Sequence, residues 1–381
     1  MRIASFNVEN LFARARALNR TDWVADPGPN PDHWSAGRKA LDIYSSLNAI
    51  LAKPLYSAQD KGDIVELMTR LGLTKSDESE LVILRRNRGQ LVKRPKNQPM
   101  VVTANGRDDW IGWLELKKEP VDEIATQNTA RIIKEVNADI MVVIEADDRI
   151  SLCRFNELLI NAVGGQPYDH IMLIDGNDDR GIDVGLFARA AVTIDMVRSH
   201  VDDRKGNSTI FSRDCPEFHL KLAGGTPLVI IANHLKSKGY GSQASSNAKR
   251  KSQALRTRQI YDGLRAGGIA NIMLAGDFND TLDSDPLSPL FDNGSDLKDV
   301  SRHPAFNDGG RPGTHGNCTK ASKIDHILLS PALWAKVTAC GIDRRGIWGG
   351  VHGTLWPHLA EITNANQAAS DHAAIWVDLA L

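Results

Sequence analysis

Cysteine is scarce and scattered in this chain. Cys153, Cys215, Cys318 and Cys340 are the only four among 381 residues, and none stands in a CxxC pair. A chain of this length needs no disulfide framework, and the spacing offers no zinc-ligand set, so reduced structural thiols are expected. An excess of one charge is also lacking: 46 lysines and arginines stand against 47 acids, a net charge of −1. A surface for nucleic acid must therefore come from local clustering of cations rather than from the overall balance. No apolar run approaches the roughly 20 residues that span a bilayer, and neither an HExxH zinc motif nor an internal repeat occurs. The opening MRIASFNVENLF lacks the basic start, apolar core and cleavage site of a secretory signal. The expectation is a cytoplasmic protein without a membrane partner, unless a signal has been trimmed.

What is present is a rhythm of short β-prone runs. The first, at 2–6, ends in polar Asn7. Between 13 and 125 the pattern changes. PGPNP (27–31) reads as a loop, because three prolines and a glycine cannot sustain a helix. Residues 41–51 and 63–71 have apolar residues at helical spacing, and 81–84 and 101–104 read as strands flanking the basic RRNRGQLVKRPKN (85–97). The segment at about 13–125 is thus expected to be an insertion of helices plus a basic hairpin. From 126 onward Ile132, Ile133 and Val136 mark a helix, DIMVVI (139–144) a buried strand and 151–163 another helix. Strands follow at 170–174, 184–187, 192–197, 228–232, 272–275, 324–329 and 373–377, with a long helix over 243–264. Many strands with few crossover helices predict an α+β or α/β sandwich.

Polar residues recur at the ends of these strands. Asn7 closes the first strand and Glu145 closes DIMVVI. His234 follows VIIAN, Asp277 and Asn279 follow IMLAG, Asp325 opens DHILL, and Asp371 with His372 opens the last strand. Loops at the ends of a rigid sheet are where sites are built, and eight acids, amides and imidazoles exceed what capping needs. The oxygens of Glu145, Asp371 and Asn7 suit Mg²⁺ or Mn²⁺. Two histidines can exchange protons at neutral pH, each needing a carboxylate to orient it; Asp325 is the candidate for His372.

The ordered set SFNVEN (5–10), VVIEADD (142–148), RGIDVGLF (180–187), NHLKSKGYG (233–241), AGDFND (275–280), KIDHILLSP (323–331) and SDHAAIWV (370–377) resembles the endonuclease/exonuclease/phosphatase superfamily. That resemblance implies a deoxyribonuclease I-like fold, a four-layer α/β/β/α sandwich in one catalytic domain over 1–381. By resemblance, Glu145, Asn7 and Asp371 lie at the metal, and His234 contacts the scissile phosphate. Asp277 and Asn279 position the reactants, and Asp325 orients the general base His372. The family places a glutamate beside the first histidine. Asp183 matches that position with a shorter side chain, and Asp175, Asp178 and Asp179 are its rivals in what reads as a solvated acidic loop. Arg180 is either a phosphate contact or the partner of a neighbouring aspartate.

NHLKSKGYG with the following AKRKSQALRTRQ looks most like large bacterial nucleases of the extracellular-nuclease type. From Lys236 through Tyr261 there is no acid. Lys236, Lys249, Arg250 and Arg256 in this stretch are therefore expected to bind the substrate backbone. A second basic cluster lies in the insertion, where Trp110 or Trp113 could stack on bases; a solvated hairpin over core tryptophans is the competing reading. The expected activity is metal-dependent phosphodiester hydrolysis of nucleic acid, DNA ahead of RNA. The alternative is a phosphodiesterase or phosphatase for a small-molecule or lipid phosphoester.

Overall fold

Runs rich in Ile, Val and Leu, bounded by turn residues, become the central strands of two sheets. The computed structural model describes residues 1–9, 11, 13–17, 36–178, 180–238, 242–292 and 294–381. The predicted loop at 27–31, Asp179 and the 239–241 end of NHLKSKGYG lie outside them. One mixed sheet has seven strands in the order Phe306–Asn307, Val337–Asp343, Ala374–Leu379, Arg2–Asn7, Ile140–Ala146, Asp183–Ala188 and His170–Ile174. The other has six, in the order Thr193–Arg198, Glu217–Lys221, Pro227–His234, Ile272–Asp277, Asp325–Leu329 and Lys298–Asp299.

The strand period of two decides the layers. Ile3, Val142, Ile144 and Leu186 of the first sheet meet Ile230, Met273 and Ile327 of the second in one buried cluster. The alternate residues Phe6, Met141 and Val143 pack under Ile132, Ile133 and Val136 of the helix Glu123–Val136. On the far side Val229, Ile231 and Leu274 pack under Ala254, Ile260 and Tyr261 of the helix Gln243–Ala266. Each large side chain so buried contributes about 1.5–3 kcal/mol. The result is the expected four-layer α/β/β/α sandwich. Asp122 caps the first helix by accepting from the amides of Ile124 and Ala125, and Asn137 ends it in a left-handed turn.

The predicted helix at 151–163 is instead an α-helical turn, Arg149–Arg154, followed by a π-helical one, Phe155–Ile160. The wider turn still buries both Phe155 and Ile160. Strands Glu217–Lys221 and Val337–Asp343 were not expected, since polar residues interrupt both.

A second compact unit comprises Ala13–Pro120 with Lys238–Ser245. Its core gathers Leu41 and Leu47 of the helix Ala36–Leu51 and Ile64 and Met68 of the helix Ala58–Arg70. Leu84, Trp110 and Leu114 of a strand pair complete it. Ser57 and Asp60 form a reciprocal capping box at the start of the second helix. The expected pairing of 81–84 with 101–104 does not occur. Val82–Gly89 pairs with Trp110–Leu116, while Val101–Val102 pairs with Val92–Lys93. The reason is side-chain alternation: Trp110, Leu114 and Leu116 can fill the core beside Val82 and Leu84, whereas Val101 is exposed. Trp110, fully buried, is a core residue and not a stacking surface.

Candidate active site

Strand register delivers the site. His234 lies beside Asp277 in the parallel pair, and Asp277 lies opposite Asp325 in the antiparallel one. The first approach depends on Gly276, at φ +140°, where a Cβ would stand 1.9 Å from the carbonyl oxygen of Asn233. Asn7, at the end of the first strand of the other sheet, sends its Nδ2 to Glu145 Oε1 and Asp277 Oδ2, both at 3.3 Å. Its Oδ1 accepts from the Glu9 amide at 3.0 Å. Carboxylates can only accept, so the amide nitrogen must face them. Asn7 therefore braces the two acids through its amide nitrogen, with its oxygen turned to the Glu9 amide. Glu145 at φ +68° and Asn279 at φ +54° hold left-handed backbone conformations that side-chain-bearing residues seldom adopt.

His372 Nδ1 stands 2.9 Å from Asp325 Oδ2, and its Nε2 faces Asp371 Oδ1 at 3.7 Å and Asp277 Oδ2 at 4.0 Å. Desolvation disfavours a charged His372 ring, but Asp325, Asp371 and Asp277 outweigh it and raise the pKa well above the usual value. The fully buried Asp277 carboxyl is pushed up to about 7 by desolvation and then by Asp325. Asn279 donates from its backbone and its amide to Asp277, at 2.8 and 3.0 Å. Glu145, His234 and Asp277 bring ligand atoms within 4.8 Å of one another, as do Asp277, Asp325 and His372, and His315, Asp371 and His372. Glu145 and Asp371 thus fall in different groups around the central Asp277 and His372.

Some participants were not foreseen. His315 Nε2 lies 3.2 Å from Asp371 Oδ2, and Glu9 accepts from the Asp371 amide at 2.8 Å. Ser370 Oγ links the Asn7 carbonyl, at 2.7 Å, to the His372 amide, at 2.9 Å. The buried Arg213 donates to His234 Nε2 at 3.1 Å and pairs with Asp178 at 3.2 Å. A lone histidine among turn residues and a lone arginine in SRDC carry no spacing signal.

His234 is fully enclosed. Desolvation, then Arg213 and Arg180, hold its pKa well below the usual value. Its Nε2 also lies 3.4 Å from Glu145 and 3.7 Å from Asp277. Asp183 is not its partner: that carboxylate accepts from the Gly176 amide at 2.6 Å, at the end of a shorter side chain. Asp178 is not a solvated acid, its side chain being 11% exposed, whereas Asp175 is exposed. Asp178 takes both Arg180, at 2.8 and 2.9 Å, and Arg213, so the salt-bridge reading of Arg180 is the one found. Lys236 is pushed down to about 7 by desolvation and by Arg213 and Arg180.

The helix Gln243–Ala266 departs from expectation. Arg250 is 0% exposed and donates to Asp280 at 3.1 Å, to Asn247 at 2.7 Å and to the Lys236 carbonyl. It cannot hold substrate, because its role is to neutralise and tie down an interior acid. Arg256 is engaged by Asp203 at 2.6 Å, and Lys249 donates to the Thr209 carbonyl. Neither joins the cluster around Asp277.

A four-layer sandwich whose strand ends gather carboxylates and a carboxylate-held imidazole defines a hydrolase of phosphoester bonds, with side-chain groups spaced to hold a metal ion. The chain belongs to the endonuclease/exonuclease/phosphatase family, whose model matches residues 122–372; members of that family depend on a divalent metal. No curated protein matches it. Among solved structures it is similar to a mannosyl-6-phosphatase of Bacteroides thetaiotaomicron, at 18% identity and TM-score 0.49 over 68% of this chain and 92% of that one. It is also similar to the human nocturnin catalytic domain, at 15% identity and TM-score 0.48 over 68% and 87%. Truncated TDP2 of Caenorhabditis elegans matches at 15% identity and TM-score 0.46 over 67% and 90%.

Proposed function

We propose that the protein is a divalent-metal-dependent nuclease that hydrolyses phosphodiester bonds in nucleic acid, DNA ahead of RNA. The observation that carries the hydrolytic mechanism is the 2.9 Å contact of Asp325 with His372, whose Nε2 opens toward Asp277 and Asp371. Nucleic acid as the polymer is supported by a surplus of exposed cations in the second unit, described below.

Glu145, with Asp277 beside it and Asp371 across His372, would hold Mg²⁺ or Mn²⁺. The donor set fits, being mostly carboxylate oxygen, and a cation would stabilise the buried charge of Asp277, whose carboxyl burial raises to about 7. When bound, such an ion offsets charge building on the phosphoryl oxygens. In its neutral form His372 takes a proton from water at Nε2, and Asp325 fixes its tautomer and supports the charged ring. Because Arg213 can only donate, His234 Nε2 must accept, which places the proton on Nδ1. That buried Nδ1 has no hydrogen-bond partner among the described residues, while Nε2 is the atom that faces Glu145 and Asp277. Asn279 and Asp277 position the reactants.

A second reading, a small phosphoester as substrate, draws on Lys236, two residues beyond the end of the strand that carries His234, where an amine suits a terminal phosphate. The discriminating experiment is a cleavage panel of plasmid, linear DNA, RNA and small phosphoesters with Mg²⁺, Mn²⁺ or chelator. Chelator and Glu145→Ala should abolish hydrolysis, and His372→Ala should cost about 10²–10⁴ in rate. Full activity in chelator would overturn the mechanism, and turnover of small esters alone would select the second reading.

A further inference from the structure

The strand pair Val82–Gly89 and Trp110–Leu116 has one face in the core of its unit and one in solvent. Register places Arg85 opposite Trp113, and Arg88 opposite Ile111. Trp113 alternates with buried Gly112 and Leu114, so its ring stands on the outer face, 51% exposed. Glu115, next on that face, grips Arg85 with two contacts, at 2.8 and 3.0 Å, and its carboxylate also interacts with Trp113.

Charge on this segment is one-sided. Residues 82–116 hold seven lysines and arginines against three acids. Arg86, Lys93 and Lys96 are exposed and have no partner among the described residues. A protein-docking patch would surround an exposed indole with apolar side chains; this one is flanked by arginines. A duplex hides the faces of its bases, whereas a single strand offers them for stacking beside its phosphates. An aromatic ring set beside guanidiniums matches that ligand in both respects.

We propose that this outer face binds single-stranded nucleic acid, Trp113 stacking on a base beside Arg85 and Arg88 while Lys93 and Lys96 neutralise the flanking backbone. The proposal rests on the polynucleotide reading of the enzyme and extends it, giving the second unit the task of gripping unpaired strand.

The test uses the full chain and a fluorescein-labelled oligothymidylate, with chelator present to prevent cleavage and anisotropy as the readout. Trp113→Ala should weaken binding roughly tenfold and Trp113→Phe should restore most of it, because stacking needs a ring and not the indole N–H. Neutralising Lys93 and Lys96 together should flatten the dependence of log affinity on log salt by about 1.4 units, at roughly 0.7 per lost phosphate contact. Turnover of a small phosphodiester with metal should be unchanged in every variant, which also reports that each is folded. Unaltered oligothymidylate binding by Trp113→Ala would overturn the proposal, as would a preference for duplex over single strand. If the unaltered enzyme cleaves DNA and Trp113→Ala cleaves it equally well, this surface fails and the nuclease reading stands. If the unaltered enzyme neither binds nor cleaves any polynucleotide, the underlying reading fails.

Discussion

Two basic stretches that look alike on paper have opposite fates in the fold. Between Lys236 and Tyr261 seven cations occur without an acid, yet the helix carrying most of them is almost fully neutralised. Asp280, Asp285 and Asp203, which pair with Arg250, Lys251 and Arg256, lie 30, 34 and 53 residues away along the chain. Arg258 pairs with Asp262, just beyond the acid-free window. In the stretch 85–96, Glu115 takes Arg85 and Asp77 takes Arg94, but Arg86, Lys93 and Lys96 keep their charges exposed and unpaired among the described residues. A window of one sign is therefore not a patch of one sign. What decides is whether tertiary contacts bring acids to it, and that is written elsewhere in the sequence.

The contrast can be broken by mutation. The largest effect should come from Arg250→Ala, which removes the buried guanidinium that pairs with Asp280. We expect a loss of about 3–5 kcal/mol, read in denaturant unfolding, with unchanged oligonucleotide affinity in the folded protein. A variant as stable as the parent but weaker in binding would return the helix to the substrate. Neutralising Lys249, Arg250 and Arg256 together, the obvious test from sequence alone, would report mainly unfolding.

A smaller effect should appear in the pH dependence of stability. His200 places Nδ1 2.9 Å from Asp203 and Nε2 2.8 Å from Glu217, and Asp203 also holds Arg256. Both ring nitrogens must donate, so the imidazole is charged in the fold. Desolvation opposes that charge, but Glu217 and Asp203 outweigh it and raise the pKa above 6.5. The folded state thus binds the proton more tightly than the unfolded one. Its contribution is complete below about 6.5 and fades as pH rises through the higher folded value. His200→Gln should flatten the stability curve over that range; parallel curves for the two proteins would refute the linkage.

The smallest change belongs to Lys251→Ala. Its 2.6 Å pair with Asp285 is solvent-exposed and should be worth about 0–1 kcal/mol. Oligonucleotide affinity should not move, and a tenfold loss would mean that this helix grips nucleic acid after all.

The sequence exposes the catalytic end of the sandwich because strand periodicity fixes where each run stops. Asp277, Asp325 and His372 are polar residues at such stops, and their register brings them together. Arg213 and His315 escape notice because each reaches the site from an irregular loop, and loop paths are set by contacts without a local pattern. The strand Glu217–Lys221 escapes for a related reason. Glu217 looks solvent-facing by residue type, yet it is buried between His200 and His219, which satisfy its charge. Asn7 was found, but its orientation could be settled only by the acids it faces.

That orientation has a mechanical meaning. Asn7 belongs to the seven-stranded sheet and Asp277 to the six-stranded one, so their 3.3 Å contact is a stitch across the open end of the sandwich. Ser370 fastens the segment leading to His372 onto the same asparagine through its carbonyl oxygen. The sheets cannot part at this end without separating Asp277 from Asn7, which also holds Glu145.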